Sequence, residues 1–233
     1  MIRILLCSAL TAGLVFVTAR PAAADYPSAL VLDTGYATGP PQWIPWINLP
    51  NLEDSLWIFG SVSEANAPFD DLLPPPPYEL TYVFEQYACV WSVHGEDLIC
   101  STTDIAIFDL GSVRVYLDTT PDADLADPAS FRDGTLVLVA TAHPLQLFTE
   151  EHCINGIRYV QRAVMAFTGG AWFSRVSREG VGFTAGNLGE FRGDVPASIA
   201  ALGYIGQSTS RVDILVPTAV VPTTWGRIKA LYR

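Results

Sequence analysis

Five aspartates, Asp118, Asp122, Asp124, Asp127 and Asp133, fall inside the segment 118–133. Carboxylates at this density either hold a hard cation or cap the turns of a solvated loop. Calcium takes about six to eight oxygen ligands, and a helix-loop-helix calcium loop draws them from fixed positions. Counted from Asp122, the residues Asp124, Ser130 and Asp133 fall at ligand positions. Ala126, however, stands where a further ligand is needed, Asp127 fills the glycine slot, and Asp133 is shorter than a bidentate glutamate. That motif is excluded. A looser calcium cage of Asp118, Asp122, Asp124, Asp127 and Asp133 between two strands remains. The competing reading is structural: Asp122 follows the Pro121 turn, Asp127 caps "PASF" through its side chain, and Asp133-Gly134 opens the next strand.

Other constellations carry less. Asp33-Thr34-Gly35 is the tripeptide of aspartic proteases, but that chemistry needs two carboxylates sharing a proton and the chain has one copy. "GVGFTA" from Gly180 matches a relaxed dinucleotide fingerprint, which has meaning only between a strand and a helix. The glycine-broken "GNLGEFRGD" follows it, so a loop or strand bend is expected. Arg192-Gly193-Asp194 matches an adhesion tripeptide, yet Asp194 is expected to cap a helix. "EEHC" at 150–153 groups metal-ligand residue types without the spaced pairs of a zinc site. His152 and Cys153 are adjacent, and adjacent strand residues point to opposite faces.

Carboxylate catalysis leaves no local signature. The alternative to a binding protein is therefore a glycosidase or lyase using Glu79, Glu85, Asp104 or Asp109 inside a β barrel, decided by the separation of the pair. A third class is a barrel carrying a small apolar ligand, lined by inward aromatics such as Tyr82 and Phe84.

The elements that position these residues are strands. "YELTYVFEQ" alternates Leu80, Tyr82 and Phe84 against Glu79, Thr81 and Glu85, and "SVRVYLD" and "SRVDILVP" repeat the pattern. "DSLWIFGSV", "DLICSTTDIAIF", "GTLVLVATA", "RYVQRAVMAF", "AWFSRV" and "LGYIGQ" complete the set, with Gly, Pro, Asn and Asp between them. The fold expected is all-β, an antiparallel sandwich or barrel. One short helix is expected in "DVPASIAALG", capped by Asp194 and stopped by Gly203.

Four segments are expected. Residues 1–24 read as a signal peptide, with Arg3, an apolar run and small residues before Asp25. Residues 25–77 read as a Pro/Trp-rich extended arm with one strand, where Trp43 and Trp46 would share a side and offer a stacking platform for a sugar or peptide. Residues 78–216 form the β domain. Residues 217–233 read as a Pro/Thr linker and a basic amphipathic tail suited to docking or to sorting machinery.

Cleavage removes Arg3 and Arg20, shifting the net charge from -11 to -11 - 2 = -13. Such a field disfavours nucleic acid and anionic lipid surfaces. The expected localisation is secreted, periplasmic or cell-surface, with no integral membrane segment after cleavage. Three cysteines then remain, and the "HG" centre of "VWSVHGEDLI" predicts a hairpin with Cys89 and Cys100 facing each other as a disulfide. The leading expectation is an exported, non-catalytic β domain acting as a binding or cell-surface component, with a carbohydrate or cell-surface protein as the partner class and calcium stabilisation as the option beside the favoured structural turn.

Overall fold

The computed structural model describes residues 28–39, 55–96, 101–109, 111–152, 156–192 and 195–215. Nine strands share one sheet: β1 (Leu30–Thr38), β2 (Ser55–Ala65), β3 (Glu79–Glu96), β4 (Ser101–Asp109), β5 (Gly111–Asp118), β6 (Thr135–His152), β7 (Gly156–Gly169), β10 (Thr184–Arg192) and β11 (Gly206–Leu215). Two short strands, β8 (Ser177–Arg178) and β9 (Val181–Gly182), pair with each other. β4 and β5 run end to end between β3 and β6 and act as one stave. The staves follow one another around a closed antiparallel eight-stranded barrel, and β11 pairs with β1 to seal it. Of the two expected all-β architectures, the barrel is the one formed.

Period-two alternation explains the closure. On β7, Gln161, Ala163, Met165 and Phe167 are buried while Arg162, Val164, Ala166 and Thr168 are exposed. β11 repeats this with Ser208, Ser210 and Val212 inside and Thr209 and Arg211 outside. One face of every stave needs a core, and curling the sheet on itself supplies one without leaving an edge. No helix among the described residues is long and apolar enough to cross a membrane.

Where its lining side chains are described, the lumen is packed. The Tyr82 ring lies against the backbones of Gly35 and Gly60, where a Cβ on Gly60 would sit 2.8 Å from the ring. Tyr82 meets Phe84 edge-on at 5.7 Å, and both are fully buried. The Tyr82 hydroxyl donates to the Asp33 carbonyl at 3.2 Å, at the bulge that interrupts the β1 register between Leu32 and Gly35. Asp-Thr-Gly thus makes room for a core tyrosine, and the Asp33 side chain is spent on the Thr34 amide. At the barrel end near residues 66–78, Phe69 stacks on Trp172 at 5.5 Å and closes the mouth.

A buried hydrogen-bonded chain also lies in the lumen. Ser208 Oγ donates to Gln161 Oε1 at 2.7 Å, Gln161 Nε2 to Asn187 Oδ1 at 3.0 Å, and Asn187 Nδ2 to Ser210 Oγ at 2.9 Å. Every member is buried and every amide atom is used, so the network fixes the order of β7, β10 and β11. Asn187→Ala strands the Gln161 amide and is expected to cost about 2 kcal/mol in urea denaturation, with the slope unchanged.

Several sequence expectations change. Two staves, β1 and β2, come from the segment read as an arm. "GNLGEFRGD" contains most of β10, because Gly189 permits close approach to Thr209 across the ladder. "AWFSRV" is a 3-10 turn at Phe173–Val176, since Gly170 takes φ +99 and turns the chain back over the mouth. "GVGFTA" begins at a turn with positive φ at Glu179 and Gly180, as a loop reading requires. The short helix, α1 (Ala197–Ala200), has Pro196 at its N-cap with no side-chain cap, and Asp194 lies outside the described residues.

The expected turn at His94-Gly95 is not formed: both residues lie within β3, where Cys89 pairs with Phe108 and Glu96 with Thr102. Cys89 is buried and no disulfide is present among the described residues, and Cys100, its expected partner, lies outside them.

Candidate functional site

The acidic segment is a clamp on the outer wall of the barrel. It leaves β5 at Asp118, crosses the outward faces of β3 and β2, and returns at Thr135 into β6. Phe131 is its main anchor, packed among outward-facing Phe59, Val83 and Tyr116 with Tyr204. Thr81 Oγ1 donates to the Phe131 carbonyl at 2.9 Å, and the Tyr204 hydroxyl to the Leu125 carbonyl at 2.9 Å. Outward apolar residues at alternate positions of β2 and β3 thus have a partner that no neighbouring stave supplies.

Within the clamp the carboxylates divide into two groups. Asp124 Oδ1 accepts from Ala126 N at 2.8 Å, and Asp127 Oδ1 from Ala129 N at 3.1 Å. Asp127 is therefore the cap of the Pro128–Phe131 turn, as read from "PASF". Ser130 Oγ accepts from Asp124 N at 2.8 Å and donates to the Asp127 carbonyl at 2.7 Å. Asp124 and Asp127 are turn-formers.

The second group converges. Carboxylate oxygens of Glu79, Asp118 and Asp122 lie within 4.8 Å of one another. Glu79 and Asp118 are directly opposite across the β3–β5 ladder, a like-charge pair that strands normally avoid. Glu79 Oε1 accepts from Asp122 N at 2.8 Å and Ala123 N at 3.0 Å, pulling the loop onto the pair. Asp118 Oδ1 accepts from Thr120 N at 2.7 Å. Asp133 is the largest influence holding the Asp122 carboxyl above its ordinary pKa, followed by partial desolvation and the charges of Asp118, Glu79 and Asp127. Of the five aspartates read as a cage, Asp118 and Asp122 meet, Asp133 acts on Asp122 through its charge, and Glu79 joins from 43 residues away.

Along the same outward face, Glu85 is held by two arginines. Its side chain is 6% exposed, with Arg114 Nη1 at 3.3 Å from Oε2 and Arg132 Nη1 at 3.4 Å from Oε1. Ser112 Oγ donates to Oε2 at 3.4 Å. The Arg132 guanidinium lies over Trp57 and Phe59, 5.1 and 5.3 Å from their ring centres. Arg132, inside the clamp, is thereby tied to both β2 and β3.

Among the remaining expected site residues, those whose side chains are described do not form a lumenal site. Glu79 and Glu85 project outward, one into the acidic cluster and one into the arginine pair, so they are not a catalytic pair inside the barrel. Asp104 and Asp109 lie on β4, opposite His94 and Ala88. Tyr82 and Phe84 do point inward, but they fill the lumen. Trp43, Trp46 and the C-terminal tail lie outside the described residues. No protein-family model, curated protein or solved structure matches the chain.

Proposed function

We propose that this chain is an exported, non-catalytic binding or surface component whose working surface is the outer wall of the barrel, with the clamp stabilised by calcium. The packed lumen carries this reading. Tyr82 against Gly35 and Gly60 fills the described part of the lumen, and Glu85 is held by arginines instead of standing in an open cleft. The outward wall, by contrast, gathers Glu79, Asp118 and Asp122 at one end of the clamp.

Three carboxylates give calcium about half of its oxygen ligands, and water or backbone carbonyls supply the rest. Such open sites bind in the roughly 0.1–1 mM range, matched to an extracellular environment. The opposed pair Glu79–Asp118 and the raised pKa of Asp122 both mark repulsion that a divalent cation would relieve.

The test is thermal unfolding of residues 25–233 in excess calcium and in chelator. A rise of several degrees in calcium is expected, and identical curves would overturn the cation-stabilised clamp. Asp122→Asn is expected to raise the melting temperature in chelator and to abolish the calcium response. The pH dependence has a defined sign. A carboxyl whose pKa is higher folded than unfolded binds more protons in the folded state, so stability falls as pH rises through that window. In chelator, Asp122→Asn should flatten this fall, and an unchanged slope would assign it to other groups.

A further inference from the structure

Among the described residues, Arg175 pairs with Asp71, Arg178 with Glu179, Arg192 with Glu190 and Arg211 with Asp213. Arg114 and Arg132 share one carboxylate, Glu85. Among the described residues, two guanidinium groups around this single carboxylate leave one positive charge without a paired carboxylate, on a chain whose net charge is -11. Their contacts to Glu85, 3.3 and 3.4 Å, are longer than the roughly 2.7–2.9 Å of a well-made charge-assisted hydrogen bond. The Nε of each arginine and Oε1 of Glu85 are buried without a hydrogen-bond partner.

Position and rigidity point the same way. Arg114 and Arg132 side chains are 42% and 36% exposed, while that of Glu85 is 6% exposed, so solvent meets the arginine side chains more than the carboxylate. Arg132 is stacked on Trp57 and Phe59, and Arg114 is set on β5 directly opposite Val83. Little side-chain freedom is left to lose on binding. The acidic cluster does not fill the site: Glu79 is six residues along β3 from Glu85, about 20 Å. Asp133, next to Arg132, sets its charge against Asp122.

We infer that Arg114 and Arg132 form a binding site for the carboxylate group of an acidic ligand, with Glu85 and Ser112 as positioning residues. A guanidinium fork matches a planar carboxylate through paired N–H donors, and one added carboxylate brings the two arginines and Glu85 to charge balance. A free small carboxylate and a uronic-acid residue of a polysaccharide present the same group. This site gives the outer-wall reading its ligand chemistry and rests on it.

The experiment follows the side-chain Nε–H signals of Arg114 and Arg132 in the nitrogen-15-labelled chain 25–233 at constant ionic strength. Acetate, galacturonate, galactose and sulfate are titrated separately. Acetate and galacturonate are expected to move both signals and galactose neither. Galacturonate binding tighter than acetate assigns the carboxylate to an acidic sugar, and equal affinity assigns it to small carboxylates generally. Arg114→Gln is expected to weaken galacturonate binding about tenfold, with Arg114→Lys intermediate. Melting curves establish that each variant is folded, and the parent titrations stand without them. Absence of any shift with acetate and galacturonate overturns the site, and so does sulfate binding as tightly as both. A calcium response in melting without arginine shifts removes this site and leaves the outer-wall reading in place.

Discussion

Tyr82→Ala is expected to lower stability by about 4 kcal/mol, the largest single effect in the barrel. The ring is fully buried, and Gly35 and Gly60 lack side chains on the surface that it covers. Deleting it leaves a void that neither glycine can fill and removes the bond to the Asp33 carbonyl. Gly60→Ala attacks the same contact from the other side. Its Cβ would meet Tyr82 at 2.8 Å and the Gly35 backbone at 2.7 Å, so a loss of about 2 kcal/mol is expected. The two substitutions share one contact and should be strongly non-additive, with Gly60→Ala nearly neutral once Tyr82 is alanine. Urea denaturation of the double-mutant cycle reads this directly. Additive losses would mean that the ring does not fill the lumen against these glycines.

Glu85→Gln is expected to cost about 2 kcal/mol. Removing the charge leaves Arg114 and Arg132 facing each other with no carboxylate between them. Fully buried pairs broken in this way lose about 3–5 kcal/mol, and the solvent exposure of both arginines reduces that figure. Arg132 belongs to the clamp, so the loss should appear as faster proteolysis at 119–134 as well as in global unfolding. A Glu85→Gln chain with parental stability and an intact clamp would show that the arginines are held by their aromatic and strand contacts alone.

Local pattern made most staves legible. Alternation in "YELTYVFEQ", "SVRVYLD" and "RYVQRAVMAF" identifies β3, β5 and β7 because half-buried strands have a period of two. β10 was hidden because Gly186 and Gly189 read as breakers, whereas at Gly189 the glycine allows two staves to come close. Barrel closure depends on β1 meeting β11, a pairing of Leu30 with Val212 that no local window contains. His94-Gly95 misplaced a turn because a glycine inside a strand gives the same local signal.

The site was partly legible for the same reason. Asp127 as the cap of "PASF" follows from a short-range rule, and it holds. The partition of the five aspartates does not, since it depends on Glu79 reaching across from β3. One signal was available: once β3 and β5 are paired in register, Glu79 and Asp118 fall opposite each other, and like charges there ask for a compensating cation. The Glu85 cluster left no such trace, because Arg132 approaches from a loop and its aromatic support comes from β2.

The central claim is that the acidic segment is a folded clamp on the barrel wall, and hydrogen exchange of its backbone amides tests it most directly. The amides of Asp122, Ala123, Asp124, Asp127, Ser130 and Arg132 are all hydrogen-bonded within the clamp or to Glu79. They are expected to exchange at least about tenfold more slowly than unstructured chain in chelator, and more slowly again in calcium. Exchange at the rate of an unstructured loop in both conditions would contradict the clamp, and with it the outer wall as the working surface.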